Sequence, residues 1–248
     1  MAEFNSQKYT VVSHFDQLAK SYAHRYEGES ALAHAFRIDM QRVCELLGDA
    51  PGRVLDVGCG AGMMVDWLIH QGCEVYGVDT SREMIRVCLE RFGHTESAAF
   101  SVGAIEQLPC QNDGFDAVIC KGVFDFLDSD HEALAELARV CKPGGTLILT
   151  LQHLLSPWRA WTYYVARRRQ PDHIRRRCYR AGSFIRRLQT YNMSVQDVVY
   201  CNFQLFLKPF DRLFPGPAVW TARKLERCCR NPYLSWMATD FVIKAIKV

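Results

Sequence analysis

The residues best suited to chemistry lie in VLDVGCGAG, 54–62, where Gly58, Gly60 and Gly62 follow a short apolar run and open a helical one. Glycines at this spacing let backbone approach a ligand with no β-carbon in the way. Asp56 stands inside the apolar run, two positions before the first glycine. A further acid, Asp79, ends VYGVD, where a carboxylate can accept hydrogen bonds from both hydroxyls of a ribose. Together these point to a nucleoside-bearing ligand held over a glycine loop. Dinucleotide readers use G-x-G-x-x-G, and the G-x-G-x-G spacing here counts against them.

The elements that must position these groups are legible in the hydrophobic pattern. Residues 30–47 place Leu32, Phe36, Met40, Val43 and Leu47 three and four apart, which predicts an amphipathic helix stopped by Gly48 and Pro51. An alternation follows: strands at 53–58, 74–79, 98–103, 116–124 and 146–152, with helices at 61–72, 81–93 and 131–141. Strands alternating with helices of this length predict an α/β fold, a mostly parallel sheet covered on both faces that binds ligands at the carboxyl ends of its strands. After Gln152 the alternation stops. A helix near 180–190, apolar segments at 194–207, a helix at 218–229 and a closing strand near 239–247 are expected, the last strands returning to the sheet as its edge.

With 248 residues, 49% apolar and 23% charged, the chain can bury a full core. The net charge of +3 hides an asymmetry: PWRAWTYYVARRRQPDHIRRRCYR, 157–180, carries eight arginines against the single acid Asp172. Eleven scattered cysteines, an odd number with no ligand-like spacing, predict reduced thiols in a cytosolic compartment and no metal site. The N-terminus lacks a basic region followed by an apolar core, and no apolar run reaches the roughly 18 residues of a spanning helix, so neither export nor a membrane span is expected.

Taken in order, FDQLAKSY (15–22), VLDVGCGAG, YGVDTSREMI (76–85), GAIEQLP (103–109), GFDAVICKGVFDFLD (114–128) and VCKPGGTLIL (140–149) resemble the motifs of the class I S-adenosylmethionine-dependent methyltransferases, in particular the branch related to the quinone-methylating enzymes. The resemblance covers roughly 15–150. It implies a Rossmann-like, mostly parallel seven-stranded sheet with a helical lid after strand five. N-terminal helices over 1–50, a cofactor-binding core over 51–152, an acceptor-covering insertion over 153–200 and C-terminal strands and helix over 201–248 are then expected.

The resemblance also implies site residues. Gly58, Cys59, Gly60 and Gly62, with Asp56, would line the methionine portion of S-adenosylmethionine, and Asp79 would hold the ribose. Thr80 and Met84 would lie near the adenine, Ala104 and Ile105 at its edge, Lys121 beside the sulfonium, and Tyr22 and Arg25 over the cofactor. Two departures stand out. An acid often occupies the place of Ala104, so Glu106 or backbone would have to take the adenine amino group; and many relatives read glutamate–histidine where this chain has Asp125 and Phe126.

Methyl transfer from a sulfonium is an in-line displacement in which positioning does most of the work, so a base is optional. For a hydroxyl acceptor the candidates are His153, just past strand five, then Asp125 and His14. Three acceptor readings compete: a small apolar molecule of quinone, polyketide or lipid type; a wobble uridine of transfer RNA, for which arginines interleaved with aromatics would suit phosphate and base contact; and a non-catalytic cofactor-binding module. Leu154, Trp158, Trp161 and Val165 read as one helical stripe, able to lid the pocket or to make peripheral membrane contact through 154–169. The sequence says nothing of oligomeric state.

Overall fold

The computed structural model describes residues 2–22, 31–49, 52–161, 164, 174, 176–203 and 213–248. Among these, seven strands form one sheet in the order β3-β2-β1-β4-β5-β7-β6. They are β1 (Arg53–Val57), β2 (Glu74–Asp79), β3 (Ala98–Val102), β4 (Phe115–Lys121), β5 (Cys141–Gln152), β6 (Met193–Phe203) and β7 (Ala238–Lys247). The first five run parallel, and β7 is antiparallel to both β5 and β6.

Alternating side chains send two separate apolar layers to the two faces. Leu55, Val57, Val118, Leu147, Leu149 and Ile243 pack on one side. Against them lie helices α5 (His131–Val140) and α6 (Ala181–Gln189), whose Leu137, Phe184 and Leu188 are buried. Val54, Val75, Ile119, Ile148, Val199 and Val242 pack on the other side. There they meet α2 (Ala31–Leu47) and α3 (Met63–His70) through Val43, Leu47, Val65 and Leu68. Helix α4 (Arg82–Phe92) follows β2, and α7 (Pro215–Leu225) packs near β6.

Two regions differ from the pattern-based expectation. Helix α1 spans Ala2–Tyr22, far more than the 15–22 motif, and it packs on α4. The chain between β5 and β6 occupies 153–192, because β6 already begins at Met193, and α6 within it is a core helix of the sheet. The feet of the excursion that leaves β5 are tied together by a bridge between His153 and Tyr179. Tyr179 N–H donates to Gln152 O at 2.8 Å and Leu154 N–H to Tyr179 O at 2.8 Å. All eleven cysteines are free thiols.

Asp130 anchors the return of this excursion. Its carboxylate, buried at the start of α5, accepts from Arg177 Nη1 at 2.7 Å, from the Tyr179 hydroxyl at 3.0 Å, and from Arg187. Arg177 is thus spent on structure, and the ring of Tyr179 stands edge-on to Phe184 with centroids 5.2 Å apart. Replacing Phe184 by alanine should empty a fully buried ring site and cost about 3–5 kcal/mol in urea unfolding.

Candidate functional site

The glycine loop owes its shape to two clamps. Gly58 N–H and Cys59 N–H both donate to Val78 O, at 2.7 and 3.2 Å, which presses the end of β1 against β2. The Asp79 carboxylate accepts from Gly60 N–H at 2.9 Å and from Ser81 N–H at 2.8 Å. Gly58 and Gly62 have φ of 74° and 76°, where a β-carbon is strained, and there is no room for one. At Gly58 it would stand 2.2 Å from Val123 Cγ2, and at Gly62 2.6 Å from the Phe92 ring. Gly62 is therefore required by the packing of α3 on α4, and Gly58 by the approach of the chain after β4.

Ser81 caps α4, its hydroxyl accepting from Met84 N–H at 3.1 Å, and donates to Asp16 of α1 at 2.5 Å. Lys8, nearly two turns into α1, pairs with Glu106 at 3.1 Å. These contacts lay α1 across the carboxyl ends of β1, β2 and β4 and enclose a cavity. Its floor is Gly58, Gly60, Val78, Asp79, Thr80 and Met84; Gly103, Ile105 and Glu106 form one wall, and Lys121, Gly122, Val123, Phe126 and Leu127 another. Lys8, Val11, Val12, Phe15 and Tyr22 of α1 form the roof. The place is the topological switch of the sheet, where connections from β1 and β4 diverge to opposite sides.

Of the residues singled out from sequence, Tyr22, Gly58, Gly60, Asp79, Thr80, Met84, Ile105 and Lys121 share this cavity. Cys59, Gly62 and Asp56 lie behind its floor; Asp56 is buried, which raises its carboxyl to about 7. Ala104 forms a bridge with Gln107 beside the wall. Arg25 and Val165 lie outside the described residues. Phe15 of the roof opens the FDQLAKSY motif, whereas Val11 and Val12 lie before it and carry no motif of their own.

The proposed acid–base groups are placed elsewhere. His153 is buried against Tyr200 and Phe241, its Nδ1 3.1 Å from Ser235 O, and burial lowers its pKa. His14 is exposed on α1. Asp125 is buried under the cavity wall, accepting from Gln152 Nε2 at 2.6 Å, and burial followed by the nearby Asp240 charge raises it to about 6. It does not cap α5. Trp158 packs into the core beside Trp236 with ring centroids 5.8 Å apart, whereas Trp161 is exposed. Leu154 lies in a turn ahead of the helical turn at 157–161, so Leu154, Trp158 and Trp161 do not share one face: the bridge at His153 forbids the helix from starting earlier.

Lys121 leads from the cavity into a buried polar cluster missed at the level of sequence. Its Nζ sits 3.8 Å above the Phe36 ring centroid, and burial lowers its pKa while Asp39, Asp56 and Asp240 oppose the shift. Asp39 of α2 and Asp240 of β7 share one amide, Asn202 Nδ2 donating to them at 2.7 and 3.1 Å. Burial, then the Asp240 charge, pushes Asp39 up to about 7. Arg159 of the arginine-rich stretch closes the cluster by pairing with Asp240 and donating to Thr239 O at 3.1 Å. Among the described residues no three His, Cys, Asp or Glu side chains assemble as a metal site.

A carboxyl whose pKa is raised on folding favours the native state at low pH, and that contribution is lost as pH rises from the unfolded value through the folded one. With Asp56 at about 7 and an ordinary value of 3.8, the loss falls between about pH 4 and 7. Asp56→Asn should therefore unfold at higher temperature than the native chain at pH 8, by the equivalent of on the order of 1–3 kcal/mol. The gap should narrow as the pH is lowered toward 4.

Comparison with known proteins bears on the fold. Residues 55–149 match the family described as Methyltransferase domain. The ubiquinone biosynthesis O-methyltransferase of Xanthomonas oryzae pv. oryzae is 30% identical over 127 residues, 50% of this chain and 53% of that protein. The chain thus aligns with about half the length of the curated relatives it matches. Magnesium protoporphyrin IX methyltransferase from Synechocystis PCC 6803, solved with bound SAH, superposes with a TM-score of 0.66 at 16% identity, over 97% of this chain and 100% of that one. A SAM-dependent methyltransferase from Thermotoga maritima superposes with a TM-score of 0.64 at 17% identity, over 94% and 98% of the two chains. Residues 55–149 thus match a methyltransferase domain, and the chain has the fold of these S-adenosylmethionine-dependent methyltransferases.

Proposed function

We propose that the protein transfers a methyl group from S-adenosylmethionine to a hydroxyl of a small, largely apolar acceptor of quinone or lipid-linked type. The observation that carries this reading is the roofed cavity at the strand ends, with Asp79 held by Gly60 and Ser81 on its floor and Lys121 in its wall. The Asp79 oxygens each keep a lone pair beyond the backbone bond they accept, and these suit two ribose hydroxyls. At Gly60 the Tyr22 ring of the roof stands 3.5 Å from a β-carbon position, so loop and roof close the cavity together at this end. The apolar roof and Phe126 suit an apolar acceptor, and the same ubiquinone-pathway name among the relatives supports an oxygen atom as nucleophile.

S-adenosylmethionine bound there supplies a methyl carbon on a sulfonium, open to in-line displacement by the acceptor oxygen. The protein's part is to exclude water, align the acceptor and receive its proton. Neither His153 nor His14 lines the cavity, and we assign the proton to the cluster behind Lys121, where Asp39 titrates near neutrality. Lys121 lines the cavity and burial lowers its pKa, so the step we assign starts from a neutral Lys121 amine, which takes the acceptor's proton to become an ammonium that the Asp39 charge stabilises. The nucleic-acid reading loses support because Arg159 and Arg177 are spent on internal ion pairs.

Two outcomes test this. Asp79→Ala should abolish binding of S-adenosylhomocysteine in calorimetry, and unchanged affinity would refute the ribose placement. Incubation with radiolabelled S-adenosylmethionine and separate bacterial lipid and transfer RNA extracts should label the solvent-soluble fraction. Asp39→Asn should lower that rate by roughly 10²-fold and remove a pH dependence centred near 7, with S-adenosylhomocysteine binding retained.

A further inference from the structure

The excursion after β5 and the turn before β7 lie side by side, at the same end of the sheet as the cavity. Gln152, the last residue of β5, pairs with Asp240 near the start of β7. Beyond that pair, Trp158 stacks on Trp236, His153 meets Ser235 O, and Arg159 reaches Thr239 O. Large apolar side chains crowd the outer surface of this joint. Leu154 and Leu155 are 49% and 50% exposed, Trp161 40%, Tyr164 48%, Tyr233 86% and Trp236 46%. The two contributing segments are some seventy residues apart in the chain, so only the fold assembles the patch.

We infer that this ledge docks the protein on an anionic lipid bilayer. Tryptophan and tyrosine favour the headgroup level, where the ring is half in hydrocarbon and its polar edge stays wet. Two adjacent exposed leucines favour the acyl boundary and offer nothing to a polyanion in water. The charge beside the ledge is complementary: Arg159 and Arg177 are taken up by Asp240 and Asp130, but Arg176 and Arg180 are exposed at the foot of the excursion, and Arg176 lies over Phe126 of the cavity wall with 5.2 Å to its centroid. Basic side chains near an anionic leaflet contribute about 1 kcal/mol each. No helix among the described residues is long and apolar enough to cross a membrane, so the attachment is peripheral. The inference goes beyond the proposed reaction and does not rest on it.

The full-length chain should pellet with vesicles of phosphatidylcholine and phosphatidylglycerol at low salt, with a blue shift of tryptophan emission, and release at high salt. Vesicles of phosphatidylcholine alone should hold it weakly. Leu155→Ser combined with Tyr233→Ser, both at exposed positions that leave the core intact, should weaken vesicle binding about tenfold or more. S-adenosylhomocysteine affinity should stay unchanged in the same variant, which separates loss of docking from loss of fold or of the cofactor site. Absence of pelleting with anionic vesicles at low salt overturns the proposal. So does undiminished pelleting of the double variant, or displacement of the vesicles by a single-stranded RNA that binds native and variant chains alike.

Discussion

The site depends on one carboxylate. Asp79 ends β2 and accepts backbone hydrogen bonds from the loop after β1 and from the cap of α4, so a single side chain joins three elements at the floor of the cavity. Charge-assisted bonds from backbone amides are among the stronger ones available to a buried carboxylate, and here they oppose the rise in pKa that burial causes. The cost is conformational: the loop must pass through positive φ at Gly58, Gly60 and Gly62. The same clamp fixes the roof, because the Ser81 hydroxyl that caps α4 also reaches Asp16 on α1.

Around that floor the strand ends hold far more charge than the apolar layers beneath them. Asp39, Asp56, Asp125 and Asp240 converge on Lys121 and Arg159, with Asn202 and Gln152 supplying amide donors. Burial raises Asp39, Asp56 and Asp125 together, and a fold selected for stability alone has no use for so many desolvated acids. These raised acids at the carboxyl end of the sheet are what the proposed proton transfer draws on.

The arginine-rich stretch resolves into parts with different physical tasks. Arg159 neutralises Asp240 inside the cluster, Arg177 ties the returning chain to Asp130, and Arg176 lies on the Phe126 ring at the cavity wall. The aromatic residues divide in the same way, Trp158 inward against Trp236 and Trp161 outward with Tyr164, their centroids 6.1 Å apart. A run of like charges in a sequence thus says little about its partner until each charge has been followed to its neighbour.

The sequence by itself determined the α/β alternation, the glycine loop and the acid that ends β2, because each is a local demand. Period-two and helical patterns follow from which face is buried, a crowded turn at positive φ favours glycine, and an acid at a strand's carboxyl end stands where the next loop can bond to it. It could not place His153 or join Asp39 to Asn202 and Asp240, because those relations depend on which strands become neighbours when β7 inserts antiparallel between β5 and β6. Nor could it show that Leu154 and Trp158 part company, since the bridge between His153 and Tyr179 is a long-range contact that overrides helical periodicity. Local chemistry is written along the chain; the direction a side chain faces, and the company a buried charge keeps, were decided by packing.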